Sequence, residues 1–402
     1  MLTRRGTFFA VAAVVLMVAG RLLGVSELYA LAAAAAATVI SSLIYVRAAK
    51  VDLVTHRSLH PARVHAGSDS RVDLAITNRG TRRTPVLAVR DPFDGGRRWA
   101  RFLMAPLNPG ETARAAYRLP TDDRGVFDLG PLRLHLTDPF GVASKATDGA
   151  SPTKLTVYPR VDPVEPLPET LGHDPFAGAE HPTALGRGGE DFYALRAYEV
   201  GDDLRRVHWP ASAKADDLII RQDEMPWQGR ATVVCDLRRG VHNRQSLEVA
   251  VSATASIVTA CWRRQALIRM VTTQGLDSAF GSGQAHGEML LEQLAGAAMS
   301  SSGNLALSLA MLHREGNGGA VAVVTTEAAS DTDLEAVARL RGRFGAVVLV
   351  LLERGSYEHG GPKTSTPGRP LPRATAVRVT SPRGFAAAWN QVVAPKRSGA
   401  YR

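Results

Sequence analysis

Two long apolar stretches open the chain. Residues 6–20 carry no charged side chain, and residues 28–46 form a second uncharged run of 19 residues. At about 1.5 Å per residue a helix of that length reaches about 28 Å, close to the hydrocarbon thickness of a bilayer. The pattern predicts a transmembrane helical hairpin over residues 1–50.

The charges around this hairpin predict its orientation. The basic residues outside the hairpin turn are Arg4, Arg5, Arg47, Lys50 and Arg57. Only Arg21 and Glu27 lie in the turn, so the positive-inside rule places both ends of the hairpin in the cytoplasm. The alternative is a cleaved signal peptide over residues 1 to about 20. The second helix would then enter from outside, and the bulk of the chain would still face the cytoplasm.

A period-two pattern follows the hairpin. Residues 71–77 and 112–119 alternate between apolar and polar side chains, and turns at Asn78–Gly80, Asp94–Gly96 and Asn108–Gly110 interrupt the pattern. Many short strands at this spacing, with no helical periodicity, are typical of an antiparallel β-sandwich. We expect such a domain over residues 51–160.

The pattern changes twice more along the chain. Residues 161–182 contain five prolines, which resist helix and remove backbone donors, so an extended linker is expected there, within a linker and signature segment 161–230. From residue 231 short Val- and Leu-rich runs alternate with amphipathic stretches. This alternation predicts a parallel sheet covered by helices on both faces, a doubly wound α/β domain over 231–395, followed by a basic tail 396–402.

Composition limits the classes of function. The 402 residues carry a formal net charge of +10, but residues 161–230 contain 14 acidic and seven basic side chains. No cluster of aromatic and basic residues is present that could stack bases, so we expect no nucleic-acid partner. Two cysteines exclude a disulfide framework. Cys235 and Cys261 lie in apolar stretches and are predicted to be buried rather than nucleophilic.

One segment is dense in acids, arginines and aromatic residues. Its candidate signature and partner-binding residues are Glu190, Arg196, Tyr198, Gly201, Asp202, Asp203, Arg205, Arg206, Trp209 and Lys214. Carboxylates and guanidinium groups at this density can form bidentate pairs that hold a loop against a domain edge. A salt-bridged structural loop is therefore favoured over an active site built on Asp202 and Asp203. His208 is likewise interpreted as packed rather than catalytic.

This segment resembles the signature of the domain-of-unknown-function 58 family of bacterial proteins. The matching positions are Gly186, Gly188, Glu190, Arg196, Tyr198, Gly201, Asp202, Arg205, Arg206, Trp209, Ala211, Ala213 and Arg221. Lys214 stands where the family usually has Arg. The resemblance extends upstream to Arg124–Gly130, Asp138–Gly141 and Val157–Pro159, and it covers residues 1 to about 355.

The resemblance implies a fold and partners. It implies a protein of the bacterial inner (plasma) membrane with a von Willebrand factor A-like α/β domain facing the cytoplasm. It also implies a MoxR-type AAA+ ATPase as partner and, as a further possibility, a transglutaminase-like membrane protein. Membrane lipid is the third expected partner, next to the hairpin and the basic tail.

The same resemblance directs attention to a metal site. In von Willebrand A-type domains a divalent cation is held by D-x-S-x-S after the first strand, a Thr in a second loop and an Asp in a third. Here Asp236 keeps the first position, but Arg238 and Gly240 replace the serines, and Thr326 replaces the Asp. The second loop, 302–305, has no clear Thr. We expect a degenerate site without a metal, and no cofactor.

No motif of known catalytic mechanism is present. The chain has no G-x-S-x-G, Walker A or H-E-x-x-H sequence, and its 11 histidines are scattered. We expect a non-enzymatic, membrane-anchored interaction or assembly protein that works with the ATPase. The alternative is an enzyme that acts on cell-envelope components through the signature carboxylates.

Overall fold

The computed structural model describes most of the chain, which divides into two compact units, Met1–Arg160 and Val161–Arg402. The described residues are 1–49, 51–168, 192–197, 207–215, 217–223, 229–315, 318–357 and 375–394. Each unit is built on sheets of its own.

The first unit begins with two apolar helices, α1 (Arg4–Leu23) and α2 (Ser26–Ala48). Both are long and apolar enough to cross a membrane. The Thr3 side chain caps α1 by accepting a hydrogen bond from the Gly6 amide, and α1 ends at Gly24, whose φ of 69° only glycine adopts easily. The two apolar helices expected from the sequence are therefore present, with boundaries a few residues wider.

Ten strands complete the first unit. They are β1 (Leu53–His60), β2 (Arg63–His65), β3 (Ser70–Asn78), β4 (Leu87–Phe93), β5 (Arg98–Met104), β6 (Thr112–Leu119), β7 (Gly125–Leu129), β8 (Arg133–Thr137), β9 (Ser144–Asp148) and β10 (Thr153–Tyr158). One sheet has the order β1-β3-β6, and the other has the order β2-β10-β7-β4-β8-β9 with β5 also paired to β4. All pairs are antiparallel except β2 with β10. The alternating burial along β3 and β4 shows that each sheet buries one face.

The buried faces of the two sheets share one hydrophobic core. Val72, Leu74 and Ile76 of β3 contribute to it, as do Val89 of β4 and Leu155 of β10. The end of α2 joins the same core through buried Val46. The helical hairpin and the sheets of this unit are thus packed together.

Arg57 was expected to be one of the charges that flank the hairpin, but it is buried. Its side chain is only 1% exposed and lies in the core, where Nη1 is 2.6 Å from Oδ1 of Asp91. A buried, paired guanidinium does not act as a charge at a membrane surface. The flanking charges among the described residues are therefore Arg4, Arg5 and Arg47, all exposed.

The second unit contains a five-stranded parallel sheet. Its strands are β13 (Arg230–Cys235), β14 (Leu267–Thr272), β15 (Ala320–Thr326), β16 (Ala346–Leu352) and β17 (Thr375–Val379). Their order is β14-β13-β15-β16-β17, and all four pairs are parallel. The strands read as near-continuous apolar runs because the sheet is covered on both faces.

Helices lie between these strands or follow the last of them. They are α4 (Arg244–Arg263), α5 (Gly283–Ala295), α6 (Leu305–Glu315), α7 (Asp331–Arg339) and α8 (Phe385–Val393). Leu309 of α6 and Val337 of α7 share a core with Val321 and Val323 of β15. Helix α4 packs on the sheet and contacts α5 and α8. The parallel sheet with helices agrees with the expectation from the sequence.

A smaller element precedes the parallel sheet. Strand β11 (Phe192–Ala197) pairs antiparallel with β12 (Ile219–Asp223), and helix α3 (Trp209–Ala215) lies between them in sequence. The signature segment is therefore bracketed by a two-stranded sheet.

The first residues of the expected linker lie on the second unit. The Asp162 amide donates to Ser256 Oγ of α4 at 2.9 Å, and the Trp389 indole of α8 donates to the Glu165 carbonyl at 2.7 Å. Leu167 is buried. Residues 161–168 form neither helix nor strand, and hydrogen bonds join them to α4 and α8. Residues 169–182 lie outside the described part.

Candidate functional site

Three strand ends bring polar side chains together at the carboxyl edge of the parallel sheet. Asp236 and Thr273 directly follow β13 and β14, and Thr325 is near the end of β15. The sheet order reverses beside β13, and doubly wound folds bind ligands in the crevice at such a point. We call these three residues, together with Arg238 and Asp333, the carboxyl-edge cluster.

Asp236 is the centre of the carboxyl-edge cluster and is fully buried. Its Oδ2 accepts a hydrogen bond from Thr325 Oγ1 at 2.8 Å. Its Oδ1 accepts from the Arg238 amide at 3.1 Å and from Thr273 Oγ1 at 3.4 Å. A buried carboxylate without such donors would be strongly destabilising, so the three strand ends supply what this one needs.

Arg238 turns back over Asp236 and joins it to Asp333. Its Nε lies 2.9 Å from Oδ1 of Asp236 and its Nη2 lies 2.8 Å from Oδ2, a bidentate pair. The same Nη2 donates to Oδ2 of Asp333 at 3.0 Å. Burial disfavours the charged guanidinium, but the two carboxylates outweigh burial and raise the pKa of Arg238. One fixed positive charge therefore bridges two buried carboxylates.

Asp333 reaches the cluster from the first turn of α7. Ser330 caps this helix, since its Oγ accepts from the Asp333 amide while Asp333 Oδ2 accepts from the Ser330 amide at 3.0 Å. Asp333 Oδ1 also accepts from the Ala306 amide of α6 at 3.2 Å. Burial alone would raise the pKa of Asp333, but the hydrogen bonds from Ser330 and the charge of Arg238 outweigh burial and lower it. The carboxylate is ionised and joins α6 and α7 to the loop after β13.

His242 is a buried histidine close to this cluster. Burial lowers its pKa to about 4, against the opposing effect of the Asp236 charge. Its Nδ1 is 3.2 Å from Ser246 Oγ, and Ser246 forms the capping box of α4 with Asn243. A base with this pKa is neutral and weak near pH 7. The geometry gives His242 a structural role at the start of α4.

The residues present do not suit a divalent cation. The space beside Asp236 that a cation would need is occupied by the guanidinium of Arg238, which already pairs with both carboxylates. Thr326, at the position where the third-loop Asp is expected, donates its hydroxyl to the Val241 carbonyl at 2.8 Å. Within the described ranges, no three His, Cys, Asp or Glu side chains cluster as metal ligands would. Oxygen ligands alone suit Mg²⁺, whereas a guanidinium repels it.

Most of the signature residues lie outside the described part of the chain. These are Glu190, Tyr198, Gly201, Asp202, Asp203, Arg205 and Arg206. The expected pairing of their acids and arginines therefore stays a prediction. Arg196 is described as part of β11, where it is opposite Ile220 of β12. Lys214 is exposed in the last turn of α3.

Trp209 and His208 begin the helix of the signature. Trp209 is the first residue of α3, and 68% of its surface is exposed. His208 Nδ1 accepts a hydrogen bond from the Ala211 amide at 3.2 Å, so the imidazole caps α3. The structure thus gives His208 a local structural contact, while it leaves Trp209 available at the surface.

Asp236 and Arg238 could be identified from the sequence, whereas Thr273, Thr325 and Asp333 were missed. Ser330 and Asp333 have the spacing of a capping box, which could have marked the start of a helix. No local signal links Asp333 to Arg238, which is 95 residues away. Cys235 and Cys261 are both buried, as expected, and neither forms a disulfide. Burial raises the pKa of Cys261 to about 11.

The fold and the carboxyl-edge cluster define a doubly wound α/β protein with two apolar N-terminal helices. Residues 194–355 match the family model described as "Protein of unknown function DUF58". Over these residues the chain is similar to that family, which supports the resemblance drawn from the signature. No curated protein matches the chain at a significant level.

Solved structures show only distant likeness. The CARDB domain of a protein from Pyrococcus furiosus is 14% identical, with 27% of this chain and 94% of that chain covered and a TM-score of 0.22. A β-glucosidase from Listeria innocua is 15% identical, with 25% and 16% covered and a TM-score of 0.16. β-Glucosidase 3B from Thermotoga neapolitana is 15% identical, with 26% and 17% covered and a TM-score of 0.16. TM-scores this low carry no argument about fold or function.

Proposed function

We propose that the chain is a membrane-anchored, non-enzymatic interaction or assembly protein whose α/β unit docks a MoxR-type AAA+ ATPase. The observation that carries the proposal is the state of the carboxyl-edge cluster. At the place where a doubly wound fold would bind a ligand, Arg238 is already paired with Asp236 and Asp333. Both carboxylates of the carboxyl-edge cluster, Asp236 and Asp333, are thus bound by the same guanidinium.

The α/β unit is interpreted as von Willebrand A-like. Asp236 follows the inner strand β13, at the carboxyl edge where that class of domain holds its cation. In this chain the internal guanidinium of Arg238 takes the place of the cation, so the edge is structural and the degenerate site needs no metal. The two sheets of the first unit, with their shared core, are interpreted as a β-sandwich.

The two apolar helices are proposed as an anchor in the bacterial inner membrane, with both units in the cytoplasm. Arg4 and Arg5 before α1 and Arg47 near the end of α2 support this orientation. A reporter enzyme that works only in the cytoplasm is expected to be active when it is fused after Arg402. Activity of a reporter that works only outside the cell would overturn the topology.

The signature segment is proposed as the docking surface for the ATPase. It belongs to the acidic stretch 161–230, and its helix α3 presents the exposed Trp209, a residue type enriched at the centres of protein interfaces. Asp203 and Arg205 of the same segment are further candidates for contact. A transglutaminase-like membrane protein is a second possible partner.

Capture of the ATPase tests this surface. The tagged full chain is co-expressed with the MoxR-type ATPase of its own genome, and the ATPase retained on solubilised membranes is quantified. We expect Trp209→Ala, Asp203→Ala and Arg205→Ala each to reduce retention. Trp99→Ala is the matched control, because Trp99 is equally exposed, at 64%, in the first unit. Unchanged retention with all three variants would remove the signature as docking surface.

The enzymatic alternative is tested on the same purified chain. Turnover of cell-envelope components that is lost with Asp202→Asn, and kept with Trp209→Ala, would favour an enzyme that uses the signature carboxylates. We expect no turnover by the intact chain.

A further inference from the structure

The turn 138–143 joins the sheets of the first unit to both apolar helices. At the start of α1, the Thr3 amide donates to the Val142 carbonyl at 2.9 Å. From α2, Ser42 Oγ donates to Asp138 Oδ2 at 2.9 Å. The contact with α1 is close, since a Cβ added to Gly6 would lie 2.0 Å from the Val142 carbonyl oxygen. The turn is thus held directly against both helices.

Asp138 makes this turn rigid. Its carboxylate is buried and accepts hydrogen bonds from the amides of Phe140 at 3.0 Å and Ala143 at 2.6 Å. Burial opposes ionisation, but the bonds from Ala143, Ser42 and Phe140 outweigh it and lower the pKa of Asp138. The carboxylate therefore stays charged and the backbone stays in place.

Phe140 is exposed at the tip of this rigid turn. Its side chain is 67% exposed, although its neighbours Val142 and Ala143 are fully buried. Gly141 follows with a φ of 70°, and Arg5 of α1 lies beside it. An apolar ring held outward by a fixed backbone, next to a basic side chain, is typical of residues at a membrane interface.

The turn lies beside the helices and not beyond their ends. Ser42 is six residues before Ala48, the last residue of α2, which corresponds to about 9 Å along the helix axis. On α1 the contact is at Gly6, within the first turn. If α1 and α2 span a bilayer, a side chain at this level reaches the boundary between headgroups and acyl chains.

Two more exposed apolar residues occupy the same end of the larger sheet. Leu87 pairs with Leu136, two residues before Asp138, so the start of β4 lies at the level of the turn. Val86 directly precedes Leu87, and Leu103 pairs with Ala88; both are exposed. Trp99 pairs with Pro92, five residues from Leu87, and is therefore about 17 Å further along the sheet.

We propose that the turn 138–143 is a membrane-interface anchor, with Phe140 inserted into the interfacial layer of the bilayer that α1 and α2 span. The partner is the lipid surface, because the turn is continuous with the two apolar helices. The anchor holds the sheets of the first unit directly on the membrane. This inference rests on the proposed membrane hairpin and adds a second, peripheral contact to it.

Spin labelling of the full chain tests the anchor. Three variants, Phe140→Cys, Trp99→Cys and Val14→Cys, each receive a nitroxide label, and Cys235 and Cys261 stay unlabelled because they are buried. The chain is reconstituted into vesicles of phosphatidylcholine and phosphatidylglycerol. Accessibility is measured to oxygen, which concentrates in lipid, and to a water-soluble nickel chelate. Val14 is exposed in the middle of α1 and reports the hairpin, and Trp99 reports water.

The expected result is an oxygen-to-nickel ratio at Phe140 several-fold above that at Trp99, and a high ratio at Val14. A high ratio at Val14 with equal ratios at Phe140 and Trp99 would overturn the anchor and leave the hairpin standing. A low ratio at Val14 as well would overturn the hairpin itself. A Phe140 label that neither reagent reaches would indicate a protein contact, such as a second copy, and would also overturn the anchor. Pro139→Cys, at an exposed neighbouring position, repeats the test if Phe140→Cys does not reconstitute.

Discussion

Each of the two units pairs a guanidinium group with a buried carboxylate, but the two guanidinium groups are enclosed differently. In the first unit Arg57 and Asp91 are 1% and 0% exposed, and Arg57 also donates to the Leu129 carbonyl at 3.0 Å. In the second unit Arg238 is 18% exposed and pairs with Asp236 and Asp333. The first guanidinium has one carboxylate in a sealed core, and the second has two carboxylates at an open edge.

The two networks also differ in their place in the fold. Arg57 on β1 and Tyr117 on β6 come from one sheet, and both bind Asp91 on β4 of the other, so this network joins the two sheets. Burial raises the pKa of Asp91, while the bonds from Tyr117 and Arg57 oppose that rise. The Arg238 contacts instead lie at the carboxyl edge of the parallel sheet, where doubly wound folds bind ligands.

Breaking the buried Arg57–Asp91 pair is expected to lower the unfolding free energy more than any other change considered. Asp91→Leu leaves Arg57 buried without its carboxylate, and we expect the first unit to lose about 3–5 kcal/mol of unfolding free energy. Hydrogen exchange of the β3 amides in the intact chain measures this loss. The double variant Arg57→Met/Asp91→Leu is the control, because replacing both charges removes the unpaired guanidinium, and we expect it to regain a substantial part of the loss.

Hydrogen exchange in the second unit measures the contribution of the Arg238 pair in the same way. Asp236→Ala leaves Arg238 paired with Asp333 and partly in contact with water, so we expect a smaller loss, about 1–3 kcal/mol, at the β13 amides. A loss at β13 larger than that at β3 would contradict the view that the edge pair is the less sealed of the two.

The pH dependence of the second unit provides an intermediate effect. The pKa of His242 falls from an ordinary value of about 6.5 to about 4 on folding, because burial favours the neutral imidazole. The unfolded chain therefore binds a proton that the folded unit does not. Stability is complete above about pH 6.5 and declines as the pH falls toward about 4, by at most about 3 kcal/mol. Urea unfolding across this range measures the decline, and His242→Gln is expected to reduce it. An unchanged slope in that variant would assign the pH dependence to other groups.

The strands and helices could largely be predicted from the sequence. The Val- and Leu-rich runs 320–324 and 346–352 coincide with β15 and β16, since strands buried on both faces must be apolar throughout. Strand β5 was missed because its sequence, RWARFLM, has no clear alternation and its side chains are mostly exposed. Strand β9, with the sequence SKATD, has one small apolar residue and gave no signal either.

The candidate site could be predicted only in part. Asp236 and Arg238 are neighbours in sequence, so their juxtaposition after a strand was visible. Asp333 and Thr325 reach the cluster only because β13 and β15 are adjacent in the sheet, and strand order is not encoded in a local pattern. The same applies to Arg57, which follows α2 in the sequence as a flanking charge would but is paired in the core with Asp91, 34 residues away.

At the carboxyl edge, the guanidinium of Arg238 is proposed to take the place of a divalent cation. The most direct test is the unfolding temperature of the intact chain with and without millimolar Mg²⁺. We predict no change for the natural sequence. Arg238→Ser leaves Asp236 and Asp333 without a counter-charge, and we predict that Mg²⁺ raises the unfolding temperature of this variant. A ligand that binds only the folded state stabilises that state. A clear gain by the natural sequence that Asp236→Ala abolishes would contradict the claim.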